Sequence, residues 1–563
     1  MARETLYRLG DATVVEPLVN KWVAWAHVIP PVAGSLHLLR YQLRLLESYL
    51  SDPQSHATTC QDPKFRSGPF VDIPAERAVE VREFLTTTKD KQAANIQFAK
   101  DILEFQNYLA EQAKGQSIEP FYEHLPASLR GYVELLYDYH NRPIVRFMES
   151  LLYASRYYQP ELQSLRIFRE TQDRYRPFIM STPRLVPNNQ VDWAMPFASP
   201  EVDELFKLDS VPQPLGYVRN LLGLSPNDDE LLRQFLSDEM PCGEEKWEDA
   251  NVRIRYLGHA CVLIEWNGVS ILTDPYIGVM PERAEADHMS YEDLPEKLDY
   301  VLITHNHHDH YCLETLLRLR HRIGCLVVPR SFGIFYGDLS LKLLSRNIGF
   351  KNVVELDTLD SIPLPDGEII AIPFMGEHAD LPHAKTAYVV RAGKQQIMLA
   401  ADSNCLDKRM YEHLRQILGP IETIFLGMEC VGAPLSWTSG PFLPVAPEFA
   451  HEQSRRYNGC NATRALEILE AVGAQRIYIY AMGLEPWLEH LLGLAYTDDA
   501  EQIKEAGLLL SHARRRGFAE AQLLYGKHEI LLPQTNDWRD QIYFSEEAEL
   551  QTVTQTEDQF TFE

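Results

Sequence analysis

Residues 305–310 read His305-Asn306-His307-His308-Asp309-His310, directly after the apolar run Val301-Leu302-Ile303 and Thr304. A short aliphatic, β-branched run bounded by polar residues reads as a buried strand, and ligands at a strand end sit on a rigid mount. Neutral imidazoles and a carboxylate at this density are what a transition-metal site needs. The cluster can hold two metals, with His305 and His307 on one side and Asp309 and His310 on the other. In an extended run His308 points away from its neighbours and is set aside as a ligand. The competing reading is a polar loop that happens to be rich in histidine.

A chain of 563 residues is too long for one ordinary core, so two or three domains are expected. No apolar stretch approaches the ~18–20 residues of a membrane span, and no signal-type segment follows Met1-Ala2-Arg3-Glu4-Thr5. A cytoplasmic protein is expected. The eight cysteines are scattered, without a Cys-x-x-Cys pair, which argues against a disulfide framework and a structural zinc knuckle. With 80 acidic against 53 basic residues the net charge is −27, a field that repels nucleic acid and anionic membranes. No nucleic-acid or membrane partner is expected.

The first part of the chain, 1–245, reads as a mixed α+β domain without a chemical motif. Ile96, Ala99, Ile102, Leu103, Leu109 and Ala110 recur at helical spacing within 90–113, and a second helix is expected from about Ser128 to Asn141. Six prolines between Thr182 and Pro214 point to an extended crossing or loop. The grammar changes near Asn251. Val252–Leu257 alternates like a half-buried strand, Asn267-Gly268 is a hairpin turn signal, and strands are expected at 325–328, 369–374, 386–391, 396–400, 423–426 and 476–480. With helices such as Leu313–Arg320 and Thr463–Ala471 between them, residues 246–544 are expected to form two sheets covered by helices on their outer faces. Residues 545–563, acidic and without Lys or Arg, are expected to be a tail ordered only against a partner.

Gly258-His259-Ala260, Thr273-Asp274-Pro275, the 305–310 cluster and Ala401-Asp402-Ser403 occur in the order seen in the metallo-β-lactamase superfamily, and 250–535 resembles that fold, an α/β sandwich of αββα type. The fold does not choose the reaction. In the hydrolase pattern a third His follows a later strand. Here Ile369–Phe374 leads to Met375-Gly376-Glu377-His378, and either Glu377 or His378 can be that ligand. Asp402 is placed to bridge two metals. The hydrolase pattern also ends in a His after a late strand, where this chain has Ala481-Met482-Gly483. If Glu377 is the ligand, three imidazoles and three carboxylates make a harder site than a zinc hydrolase uses, and such ligation favours iron. Asp274 is expected to orient a ligand imidazole, and His259 to order its loop by hydrogen bonds rather than bind metal. His383 and His490 are reserve ligands, and Glu429 to Phe442 reads as an active-site loop or an ordinary surface connection.

Val15–Trp22, Trp25 and His27–Pro31 in the first half, with Gly376-Glu377-His378 and Gly427–Leu435 in the second, are similar to the diiron β-hydroxylases of nonribosomal peptide biosynthesis, the chloramphenicol-pathway type. That resemblance implies His305, His307, Asp309, His310, Glu377 and Asp402 as ligands of two Fe ions in an oxo- and carboxylate-bridged cluster. It implies O2 as co-substrate, an external electron donor with its reductase, and a homodimer whose N-terminal domain covers the active site. The substrate it implies is an amino acid held as a thioester on a peptidyl carrier protein, hydroxylated at its β-carbon. Glu377 and Glu429 are the carboxylates expected to take part in turnover. The alternatives are a dinuclear zinc hydrolase acting on a lactone or phosphodiester, and an inert metal-binding scaffold. A carrier partner is usually acidic, so docking needs a local basic face, for which Arg514-Arg515-Arg516 and Arg318, Arg320 and Arg322 are candidates.

Overall fold

The computed structural model describes residues 4–172, 176–185, 189–281, 283–284, 286–376, 384–494 and 496–534. The expected tail at 545–563 lies outside them.

Two seven-stranded sheets form the C-terminal half. The first runs Val353–Leu356, Ile323–Pro329, Leu298–Leu302, Val269–Thr273, Cys261–Trp266, Val252–Gly258, His528–Leu532. Its early strands pair antiparallel through the Asn267-Gly268 turn, and its later ones pair parallel from Val269–Thr273 onward. The second runs Ser361–Leu364, Gly367–Ile372, Ala387–Ala392, Gln395–Leu399, Thr423–Gly427, Arg476–Tyr480, Glu520–Leu523, and passes from antiparallel to parallel in the same way. Alternate residues of both sheets, among them Val262, Ile264, Leu302, Val390, Leu399, Phe425 and Tyr478, interlock as the layer between them. The opposite faces carry helices: Leu313–Leu319 and Leu341–Asn347 on the first sheet, Lys408–Leu418, Ala462–Val472 and Glu501–Arg515 on the second. This is the αββα sandwich, and the strands anticipated from the sequence are present within one to three residues of their expected ends.

The N-terminal half is less regular. A four-stranded antiparallel sheet orders Trp22–Val23, Thr13–Val19, Gln163–Arg169 and Val191–Trp193. The helix expected within 90–113 is Ala93–Gln112, burying Phe98, Ala99, Ile102, Phe105 and Leu109 on one face. The helix expected at 128–141 is instead a hairpin, Val133–Tyr137 against Pro143–Phe147. Local turn chemistry decides it. The Asp138 carboxylate accepts from the N–H groups of His140 and Arg142, and Asn141 takes the left-handed conformation at φ 59°. The proline-rich stretch also differs from expectation, for it contains the strand Val191–Trp193 and the helix Pro200–Phe206. There Pro200 opens the helix rather than breaking it.

The halves share a core. Val15, Leu165, Val202 and Phe206 belong to one apolar cluster with Leu263, Val301, Leu316 and Leu326. Buried ion pairs tie the same seam: Arg318 is bidentate to Asp209 at 2.7 and 2.8 Å, and Arg320 reaches Asp203 at 2.8 Å. Arg322 is buried too and donates to the Tyr291 carbonyl at 3.1 Å. These three arginines, one of the two candidate docking faces in the sequence, are therefore not such a face. Their partners are acidic and carbonyl groups brought in by the fold; Arg318 and Arg320 hold the two halves together, and Arg322 is spent within the C-terminal half.

Candidate dinuclear metal centre

The 305–310 segment leaves the strand Leu298–Leu302 at the edge where the two sheets face each other, and all six of its residues are buried. Strand ends around it are bent by residues in the left-handed conformation: His259 at φ 49°, Asp274 at 34°, Ala401 at 46° and Ala481 at 52°. Such non-glycine conformations cost ~1–3 kcal/mol each and persist where the surroundings over-determine them. Here the surroundings are hydrogen bonds. Ala481 N–H donates to the His259 carbonyl at 2.9 Å, Gly427 N–H to the Ala401 carbonyl at 2.8 Å, and Ala401 N–H to the Tyr480 hydroxyl at 3.0 Å. Asp274 accepts from Thr304 N–H at 2.7 Å, from the Thr304 hydroxyl at 2.6 Å and from His310 Nδ1 at 2.8 Å. The sequence anticipates a carboxylate that orients a ligand imidazole, and Asp274 makes that contact with His310.

Two triads of metal-type donors result, His305 with His307 and Asp402, and His259 with Asp309 and His310, each with ligand atoms within 4.8 Å of one another. Asp402 Oδ2 lies 3.6 Å from His305 Nε2 and 3.1 Å from His310 Nε2, so one carboxylate reaches both triads. His259 is closer to the chemistry than its sequence context suggests: its Nε2 is 2.9 Å from Asp309 Oδ2. It does order its surroundings by hydrogen bonding, and the group it holds is one of the candidate ligands. His308 turns the other way, donating Nε2–H to the Leu491 carbonyl at 2.8 Å between the rings of Trp25 and Trp437.

The donor set fits a cation. Because His310 donates Nδ1–H to Asp274, its Nε2 carries the lone pair of a neutral ring. That nitrogen faces Asp402 Oδ2 at 3.1 Å and Asp309 Oδ2 at 3.5 Å and makes no hydrogen bond. Buried lone pairs converging on one point repel unless a positive charge sits among them. Burial opposes charge on the ring, yet Asp309, Asp402 and Asp274 outweigh it and push the His310 imidazole well above its usual range. Burial likewise opposes ionisation of Asp309, and His310 and His259 still hold its carboxylate well below the usual range. The pocket is built for positive charge, and imidazole with carboxylate is the ligand chemistry of a divalent transition metal.

Glu377, His378 and His383 lie outside the described residues. The chain immediately before them is firmly held: Gly376 is at φ 83°, Lys385 Nζ donates to its carbonyl, and Asn404 N–H, two residues past Asp402, donates to Met375 O at 2.7 Å. Glu429 adjoins the cluster. Burial, then Asp402 and Asp309, raise its carboxyl well above the usual range, favouring the neutral acid. Met482, where the hydrolase pattern has histidine, is buried, and its sulfur accepts Met428 N–H at 3.2 Å. His490 is buried away from both triads. The loop after Glu429 folds into the short helix Ser436–Ser439, and Tyr457 fastens it by bonds to the Thr438 and Ser439 hydroxyls at 2.7 and 2.8 Å while its ring lies 5.6 Å from His307. The sequence reading missed Tyr457, since nothing in Arg455-Arg456-Tyr457-Asn458-Gly459 resembles a ligand motif.

Residues 8–240 match the model of the diiron non-heme β-hydroxylase N-terminal domain, and 253–390 that of a β-lactamase superfamily domain. The chain is 34% identical over 522 residues, 91% of this chain and 97% of the relative, to the 4-amino-L-phenylalanyl-[CmlP-peptidyl-carrier-protein] 3-hydroxylase of Streptomyces venezuelae. The crystal structure of CmlA, a diiron β-hydroxylase from the same organism, superposes with a TM-score of 0.87 at 32% identity, covering 94% of this chain and all of that one. A UPF0173 metal-dependent hydrolase of Methanopyrus kandleri is 30% identical over 124 residues, which is 22% of this chain.

Proposed function

The chain belongs to the diiron non-heme β-hydroxylases, and from that footing we propose that it hydroxylates the β-carbon of an amino acid held as a thioester on a nonribosomal peptide synthetase carrier domain. Such a reaction breaks a C–H bond and forms C–OH with one oxygen atom of O2. The other atom leaves as water, with two electrons and two protons taken up from an external donor through a separate reductase. Two irons in this site, when bound and reduced, supply the O2 chemistry; the protein supplies position, charge and dryness.

In this reading His305, His307 and Glu377 hold one metal, Asp309 and His310 hold the other, and Asp402 reaches both. Asp274, itself held by Thr304, fixes the ring of His310, and His259 fixes the carboxylate of Asp309. Glu377 is assigned because the chain leading to it is fastened beside Asp402, by Asn404 at Met375 and by Lys385 at Gly376. Glu429, close to Asp402 and Asp309, is assigned a part in turnover next to the cluster. The N-terminal half covers the site, with Trp25 over His308 and His27 over Phe442 at ring separations of 5.8 and 5.0 Å. By resemblance that half also carries a homodimer contact, which light scattering of the purified protein will test. No helix among the described residues is long and apolar enough to cross a membrane.

The observation that carries oxygenase over hydrolase is Met482, a buried thioether engaged with the backbone where a hydrolase presents its last imidazole. A site one nitrogen poorer and one carboxylate richer suits iron better than zinc. The test is direct. Purified protein should hold about two irons per chain, absorb in the visible as a diferric cluster does, and, once reduced and exposed to O2, add 16 Da to a carrier-bound amino acid but not to the free one. Tightly bound zinc with turnover of a simple ester would sink the proposal in favour of hydrolysis.

A further inference from the structure

A cavity of about 820 Å³ lies where the two halves meet. The C-terminal end of the helix Ala93–Gln112, the hairpin at 133–147 and the loops 334–337 and 438–444 enclose it. Buried Asn306, between the ligand candidates His305 and His307 in sequence, lines it and donates to the Gly337 carbonyl at 3.0 Å, and Thr438 and Ser439, whose hydroxyls bond Tyr457, line it too. Its outer end is ringed by exposed Lys114, His140 and Arg142. A basic rim is unexpected on a chain of net charge −27.

Its wall is mostly apolar, yet four buried polar atoms of that wall have no hydrogen-bond partner: both ring nitrogens of His27, Gln106 Oε1 and the Tyr336 hydroxyl. Buried polar groups are almost always satisfied, so unsatisfied ones gathered on one cavity mark what the cavity is for. His27 is only 4% exposed, and burial, with His37 and His308 nearby, drives its ring down to about 3, so it is neutral. A neutral imidazole offers one donor and one acceptor, the complement of a secondary amide. Gln106 adds an acceptor and Tyr336 a hydroxyl that does both.

We propose that this cavity is the channel for the pantetheinyl arm of the carrier partner, with His27, Gln106 and Tyr336 meeting its amides and hydroxyl and Lys114 and Arg142 meeting its phosphodiester at the mouth. A long, thin chain with apolar segments, two amides and one anionic end matches the apolar wall, its unsatisfied polar atoms and the exposed cations at the mouth. The rim cations are not fully spent on the protein. Lys114 Nζ donates to the Ala110 carbonyl at 2.6 Å and Arg142 Nε to Asp138 at 3.0 Å, leaving further N–H groups on each. The thioester end then arrives beside Asn306, next to the metal ligands. The channel puts the carrier's docking face on the N-terminal half, on the helix end and the hairpin, not on the arginines singled out in the sequence. The inference rests on the proposed function, but its test does not need turnover.

The probe is 4′-phosphopantetheine itself, titrated into the iron-loaded full-length protein and followed by ligand-observed NMR. The wild type should broaden its signals. Ala110→Trp, which fills the channel from an exposed helix position, should abolish the effect with iron content and visible spectrum unchanged. Lys114→Glu with Arg142→Glu, both on the surface, should weaken phosphopantetheine binding by about tenfold and leave binding of pantetheine, which lacks the phosphate, within about twofold. No binding by the wild type, or equal binding by the plugged and charge-reversed variants, overturns the channel. If Ala110→Trp loses iron, the charge-reversed pair decides. Failure of the wild type to hydroxylate a carrier-bound amino acid, with phosphopantetheine still bound in the channel, overturns the proposed function instead.

Discussion

Two groups of buried histidines lie side by side in this protein and are built on opposite terms. His305, His307 and His310 stand among carboxylates, with Asp402 within 3.6 Å of His305 and 3.1 Å of His310, and with Asp274 on the far nitrogen of His310. His27, His37 and His308 stand among rings. Trp25 lies 4.5, 5.5 and 5.8 Å from them, and burial pushes all three imidazoles down. One group asks for a positive charge and the other excludes it. The number of histidines in a segment therefore says less about metal than the carboxylates it meets, and His308, flanked by ligand candidates in sequence, belongs to the second group.

The contrast can be broken most severely at Asp402, the carboxylate common to both triads. Asp402→Asn keeps the size and removes the charge, so His310 Nε2 loses the carboxylate nearest to it, at 3.1 Å. Iron should fall from about two to one or none per chain, and hydroxylation by more than about a hundredfold, read by metal analysis and product mass. Undiminished iron would mean that the two triads do not share a metal pair. Asp274→Asn should act less strongly. The amide can still accept from Thr304, but it no longer favours the neutral, metal-ready tautomer of His310, and the loss should be about 10- to 100-fold in metal affinity or activity.

The metal group was the most legible part of the chain, and its partners the least. The 305–310 segment carries its own strand in front of it, so its placement follows from local pattern. The strands behind it were readable for the same reason, since alternation along Val252–Leu257 and β-branched runs elsewhere are local signals. His259 needs Asp309, fifty residues on, and no local pattern announces that. Arg318 and Arg320 look like a basic helix face until Asp209 and Asp203 arrive from the other half. The 128–141 segment has helical apolar spacing, but Asp138 and Asn141 form the turn and the chain folds back as a hairpin. In each case a contact distant in sequence, or a turn, overrules the period.

The aromatic group should reveal itself by its response to acid. His27 and His37 both sit at about 3, below the 6.5 of an exposed imidazole, so between these values the unfolded chain binds more protons than the folded one. Their contribution is complete above about pH 6.5 and shrinks as pH falls, by ~1.4 kcal/mol per pH unit for each ring. The window from pH 6.5 to 5 isolates it from the buried carboxylate of Glu16, which two arginines hold ionised to far lower pH against its burial. Urea midpoints should drop across that window in the wild type and drop less in His37→Phe. Equal slopes would show that His37 takes up its proton in the folded state.

The smallest expected effect lies at His308, where the comparison predicts near silence. Its Nε2–H holds the Leu491 carbonyl at 2.8 Å, and its ring fills the gap between Trp25 and Trp437. Gln keeps a donor of similar reach, so His308→Gln removes ring packing and leaves the hydrogen bond available. The stability cost should be about 1 kcal/mol, and iron content should stay at about two per chain with activity within about threefold of wild type. The same change at His310 removes the lone pair that Asp402 and Asp309 face, and there the iron should go. Two histidines two residues apart would thus answer one substitution in opposite ways, because one side chain points among carboxylates and the other among indoles.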